Sequence, residues 1–229
     1  MQPCTILSLA TALPSHCVTQ AEAKALGRRA FARPALFDRL ASVFDNAGID
    51  RRQLVAEAGW YEQPHGWAER NALYLQAAER LFEQAAEKAI AGAGLRTDQI
   101  DGVVTVSTTG IATPSLEARV GPRLGLRGDV VRAPVFGLGC AGGVSGLGTT
   151  ARLAAAEPGS RWLFVTVETC SISIRLDSDD PAAVVATALF GDGAAAAVVR
   201  AGDGGLAQLT GSAEKLWPDT LGIMGWRVE

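Results

Sequence analysis

Two spacings of apolar residues alternate along this chain, one extended and one helical. Cys4 to Ala10 is a short apolar run that ends before Pro14 and predicts a first strand. Thr19, with Glu22 three positions on, forms a capping box that predicts a helix over Ala21 to Phe31. Pro34 suits a first helical turn, and Leu36, Phe37, Leu40, Val43 and Phe44 continue a second helix that Gly48 stops. Ile49 to Arg52 then reads as a turn. From Trp67 to Ala93 the spacing of Tyr74, Ala78, Leu81, Phe82, Ala85 and Ala89 marks one long amphipathic helix, closed by Gly92 and Gly94. Its alanines suit close packing against a sheet, and they are equally what a good helix former contains.

Beyond residue 100 the pattern becomes a regular alternation of strand and helix. Gly102 to Ser107 predicts a buried strand that runs into the small polar loop Thr108 to Pro114, at the carboxyl end where α/β sheets hold ligands. Ser115 can cap the next helix, with Leu116, Val120 and Leu124 on one face. Val130 to Val135 is β-branched and apolar enough for a second buried strand, and Val144 to Ala156 is helix-like. Trp162 to Val167 is a further strand, ending at Glu168 to Ser171. After the polar loop Asp177 to Asp180, Pro181 opens a helix through Phe190, and Ala194 to Val199 is a last strand. The class is alternating α/β, and no low-complexity tract divides residues 1–229, which read as one domain.

The stretch Phe136 to Gly148 sets one cysteine, Cys140, among six glycines between a strand and a helix. Small neighbours let such a turn bend sharply and admit a substrate carbonyl, as a nucleophile elbow does. The first helical N–H groups are expected to point at the sulfur, and a helix N-terminus favours thiolate, the nucleophilic form. The same spacing fits a buried structural cysteine in a glycine-rich packing turn. No GxGxxG follows the first strand, so these glycines do not describe a nucleotide site. Paired Arg51 and Arg52 could bind phosphate or simply be solvated.

Composition narrows the classes further. A chain of 229 residues, 48% hydrophobic and 20% charged, can bury a real core. With a net charge of −3 and scattered lysines and arginines, it shows no footprint for nucleic acid or an anionic membrane. Residues 133–151 carry no charge, but their glycines with Ser145, Thr149 and Thr150 make a poor membrane span. The start lacks a secretory signal pattern, and a cytoplasmic location is expected. Four cysteines without a CxxC pair and only two histidines, His16 and His65, point to free thiols and no metal site.

The string Gly139-Cys140-Ala141-Gly142-Gly143 after a valine-rich strand, followed by Ala188-Leu189-Phe190-Gly191-Asp192-Gly193-Ala194-Ala195, resembles the type III polyketide synthases. These are the chalcone synthase-like branch of the thiolase superfamily. The resemblance implies an α/β, thiolase-like fold, with residues 1–229 forming the amino-terminal catalytic-cysteine domain, one α/β half of a five-layer αβαβα architecture. Met224-Gly225-Trp226 is similar to the place where the family enters its second half, so the carboxyl-terminal domain is expected to be absent from this chain.

By the same resemblance, Cys140 takes an acyl-CoA starter as a thioester and takes part in decarboxylative condensation with malonyl-CoA, followed by cyclisation to a pyrone or resorcinol-type product. Coenzyme A thioesters serve as substrates, and no cofactor is implied. The family's histidine and asparagine lie in its second half; His16 and His65 do not match that motif, so both partners are expected to be missing here. Phe190 would stand between the CoA tunnel and the reaction cavity, which Thr108, Thr109, Cys170 and Ser173 would line. Thr113 would reach a neighbouring subunit's cavity, which implies a homodimer. Arg39 matches a residue used for CoA phosphates, whereas Ser42 and Asn46 stand where cations are common, which turns attention to Arg51 and Arg52.

Without the resemblance, Phe190 reads as core packing, Asp192 as a turn or cap residue, and Cys170 as a buried cysteine after a strand. Two competitors are a ketoacyl-ACP synthase III-like enzyme, which would want a basic docking face for its carrier protein, and a non-catalytic half-domain that binds CoA esters or dimerises.

Overall fold

The computed structural model describes residues 2–178 and 180–226. Asp179 of the predicted polar loop and the last three residues of the predicted domain lie outside the described residues. In chain order the elements are β1 (Cys4–Ala12), β2 (His16–Thr19), α1 (Gln20–Ala30), α2 (Pro34–Leu40), α3 (Ser42–Asn46), β3 (Arg51–Leu54), α4 (Ala58–Tyr61), α5 (Trp67–Gly92), β4 (Gly102–Val106), α6 (Leu116–Leu124), β5 (Val131–Val135), α7 (Gly142–Ala156), β6 (Arg161–Thr169), α8 (Pro181–Leu189), β7 (Asp192–Ala201) and β8 (Ala207–Leu209). Tertiary contacts divide the chain into two compact units: Met1–Ala12, Ala78–Val167 and Ala194–Glu229 form the first, and Leu13–Ala77 with Glu168–Gly193 form the second. Their segments alternate along the chain, so no linker composition marks the division.

The first unit is built on a six-stranded sheet in the order β5-β4-β6-β7-β1-β8. β4 pairs in parallel with β5 and β6, and β1 pairs antiparallel with β7 and β8. Every residue of β4 is buried, as its GlyValValThrVal run predicts. Helix α7 packs on β4 and β1, and Ala151 and Ala154 share a core with Val104, Val106, Trp162 and Phe164. β5 departs from expectation. It is an edge strand with Val131, Arg132 and Pro134 exposed, because it has one neighbour only, and Pro134, with no N–H to donate, suits such an edge. Ser115 occupies the N-cap position of α6, yet its hydroxyl bonds the Glu117 carboxylate rather than a backbone N–H.

The second unit gathers the short helices around a β2–β3 ribbon, whose register pairs His16 with Leu54 and Thr19 with Arg51. The expected turn over residues 49–52 is thus corrected in its second half, where Arg51 and Arg52 belong to a strand. Helix α1 carries the predicted capping box: Thr19 donates its N–H to Glu22 Oε2 at 2.7 Å, and Glu22 N–H reaches Thr19 Oγ1 at 3.2 Å. The helix expected after Pro34 is interrupted at Ala41 and becomes α2 and α3. Phe31, Phe37 and Phe44 pack in sequence as tilted pairs with ring centroids 5.4 and 5.6 Å apart, and Val184 and Ala188 of α8 join that core. Among the described residues no helix is long and apolar enough to cross a membrane.

Candidate active site

Cys140 sits where β5 hands over to α7, on a single 3-10 turn over Gly139–Ala141. Gly137 and Gly139 adopt φ of 87° and 53°, a region costly for other residues, which the turn into α7 requires. Gly142 and Gly146 permit α7 to approach β4 closely: a Cβ on either would lie 2.5 Å from a Val106 methyl carbon. Cys140 is exposed, unlike the buried structural cysteine that the spacing also allowed. Of the first helical donors, the Gly142 N–H is engaged by Gly139 O within the 3-10 turn, as the preceding Ala141 N–H is by Leu138 O at 3.2 Å.

The loop after β4 holds this turn. Gly139 N–H donates to Thr108 Oγ1 at 3.3 Å, and Ser107 N–H reaches Val135 O at 3.4 Å. Thr108 and Thr109 are half-buried, while Thr113, before Pro114, is exposed. Trp226 completes the arrangement from the far end of the chain. Its Nε1–H donates to Thr108 O at 3.1 Å, and its ring meets Phe136 edge-on with centroids 6.2 Å apart. No local sequence signal predicts that contact, which spans 118 positions.

The remaining predicted residues belong to the second unit. Phe190 is half-buried and caps α8, its N–H donating to Ala186 O at 2.9 Å. Cys170 and Ser173 lie on the 3-10 turn Cys170–Ser173 after β6, where Ser173 Oγ donates to Cys170 O at 2.7 Å. Cys170 is half-buried and Ser173 exposed.

The chain also contains a buried polar chain that the sequence did not announce. Asp192 accepts hydrogen bonds from Ser171 N–H at 2.8 Å, from Val55 N–H at 2.7 Å and from Ser171 Oγ, while Tyr61 Oη lies 2.6 Å from Ser171 Oγ. Asp192 is therefore the first residue of β7 and a tie between segments, not an exposed turn or cap residue. Burial pushes its carboxyl up to about 6 against the pull of the bonds from Ser171 and Val55, and burial also raises the Tyr61 hydroxyl.

The three arginines divide. Arg39 and Arg51 are exposed, and Arg39 borders an open cleft of about 490 Å³ with Arg33, Pro34 and Leu36. Arg52 is corrected as a phosphate ligand and equally as a solvated surface residue. Only 6% exposed, it donates to Ala188 O at 2.7 Å, Phe190 O at 3.3 Å, Thr187 O and Gln20 Oε1. Those carbonyls are the C-terminal end of α8, whose dipole is negative there, so Arg52 serves as its cap. Desolvation lowers its guanidinium below the ordinary value. Among the described residues no three His, Cys, Asp or Glu side chains gather as a metal site.

The sequence profile for chalcone and stilbene synthases, N-terminal domain, matches residues 1–203. A 1,3,6,8-tetrahydroxynaphthalene synthase of Streptomyces peucetius subsp. caesius is 37% identical over 98% of this chain and 61% of its own length. Among solved structures, the carboxyl-terminal type III polyketide synthase domain of Steely1 from Dictyostelium superposes with a TM-score of 0.90, at 26% identity over 99% of this chain and 65% of that one. The 1,3,6,8-tetrahydroxynaphthalene synthase of Streptomyces coelicolor A3(2) gives 0.84 at 27% identity, over 94% of this chain and 62% of that one. The chain spans less than two thirds of the length of these relatives. It has their thiolase-like α/β fold, and it belongs to the chalcone and stilbene synthase family, that of the type III polyketide synthases.

Proposed function

We propose that this chain carries the acyl-loading centre of a type III polyketide synthase, with Cys140 as the acyl acceptor. The observation that carries this is an exposed thiol, pinned through Gly139 to Thr108 on a strand-to-helix turn, in a chain of that family. The Cys140 sulfur, as thiolate, bonds to the carbonyl carbon of an acyl-CoA starter; the bond to the CoA sulfur breaks, and the departing CoA thiolate takes up a proton. In extension, malonyl-CoA would lose carbon dioxide, and its carbanion would attack the Cys140 thioester and expel the thiolate. Thr108, bonded to Gly139, and Thr109 after it are proposed to border the acyl group's point of attachment. Phe190, Cys170 and Ser173 are proposed as residues of the acyl cavity, with Thr113 contributing to a partner subunit in a homodimer. Arg39 and Arg51 are the cations left for CoA phosphates, since Arg52 is committed to α8. The product is proposed to be a pyrone or resorcinol-type ring.

Incubation of the chain with hexanoyl-CoA tests the loading step. The expected result is one equivalent of free CoA per chain by liquid chromatography and none from Cys140→Ala. Equal release from both proteins would overturn the assignment of Cys140.

A further inference from the structure

The Cys140 turn is restrained from one side by a bond that depends on the Thr108 position, and Thr108 is itself held by a residue far away in sequence. We propose that Trp226 is a positioning residue for the thiol. It fixes the Thr108 main chain, which in turn fixes the Gly139 N–H next to Cys140. Two independent contacts place it there. The indole N–H donates to Thr108 O at 3.1 Å, and the ring packs edge-on against Phe136, the residue at which β5 leaves the sheet edge.

Trp226 therefore touches both strands of chain that enter the site, the loop after β4 and the start of the cysteine turn. Between the sheet edge and Gly142, which packs on Val106, the turn is open: Phe136 and Leu138 are 59% and 39% exposed, and a Cβ at Gly137 or Gly139 would meet nothing within 4 Å. A segment so rich in glycine and so poor in packing has much conformational freedom to lose, and an external clamp supplies the restraint. Thr108 Oγ1 acts from the loop that Trp226 also grips, alongside the bond of Ser107 N–H to Val135 O at 3.4 Å. Holding the sulfur in a fixed place matters for attack on a carbonyl, where misplacement by an ångström lowers the rate by orders of magnitude. It matters little for half-saturation by the substrate.

The inference rests on the proposed loading reaction for its catalytic meaning, but the clamp itself can be read without substrate. Three variants separate the contacts. Trp226→Phe keeps a ring against Phe136 and removes the N–H; Trp226→Ala removes both; Thr108→Val removes the hydroxyl that receives Gly139 N–H. Amide hydrogen exchange over residues 136–142, measured by mass spectrometry, should rise at least threefold in Trp226→Phe, further in Trp226→Ala, and also in Thr108→Val. With hexanoyl-CoA, Trp226→Phe should lower the acylation rate constant about tenfold and leave the half-saturating concentration within twofold of the parent. Exchange that is unaltered in Trp226→Ala while rising in Thr108→Val would overturn the clamp. An unaltered acylation rate constant, or a change in half-saturation alone, would overturn its positioning role. If the parent itself is not acylated, the loading reaction fails, and exchange still decides whether the clamp exists.

Discussion

Burial raises the Asp192 carboxyl to about 6, even though three hydrogen bonds reach it from Ser171 and Val55. An unfolded aspartate titrates near 3.9, so the folded chain binds this proton more tightly than the unfolded one. The Asp192 contribution to stability is then full below about pH 4, declines as pH rises to about 6, and is flat above, a loss of about 3 kcal/mol for a shift of that size. Urea denaturation at a series of pH values from 4 to 8 reads this slope. Asp192→Asn should flatten it, and should lower stability at neutral pH by about 1–3 kcal/mol, because its amide N–H must face a backbone donor of Ser171 or Val55. A slope that persists in Asp192→Asn would assign it to another group.

At the scale of elements, the close approach of α7 to β4 brings the cysteine turn against Thr108. Gly146→Ala would set a methyl 2.5 Å from Val106 Cγ2 and 2.6 Å from Phe164 Cε2, whereas Gly143 has nothing within 4 Å of the same position. Gly146→Ala is expected to destabilise the chain by about 1–3 kcal/mol, and Gly143→Ala to be neutral or stabilising by up to about 1 kcal/mol, both read by chemical denaturation. Equal effects would mean that the packing does not depend on those glycines. Thr19→Ala, which removes the capping box of α1, should cost about 1 kcal/mol by the same measurement.

These elements were largely readable from spacing. The capping box, the all-buried β4 and the glycine turn each announce themselves over a few residues. What escaped was set by partners distant in sequence. Val130 to Val135 has the composition of a central strand, and only the sheet order makes β5 an edge. Arg52 reads as a surface cation until α8 brings its carbonyls to it, and neither Asp192 with Val55 nor Trp226 with Thr108 has a local signature.

On the scale of the whole molecule, large apolar side chains remain exposed in the first unit: Leu216, Trp217, Leu221, Ile223 and Met224 are each at least 60% accessible. Surfaces of this kind favour association. Sedimentation velocity should show concentration-dependent self-association, weakened when Leu221 and Ile223 are both changed to Gln; a concentration-independent monomer in the unmodified chain would contradict this. The proposed loading reaction turns on a single thiol among four cysteines, another of which, Cys17, is exposed in the second unit. The most direct measurement is to incubate the folded chain with an acyl-CoA, digest it at low pH and locate the acyl group by mass spectrometry. The expected result is a thioester on Cys140 with Cys4, Cys17 and Cys170 unmodified. An acyl group on Cys17 or Cys170 in place of Cys140, or on no cysteine of a folded chain, would contradict it.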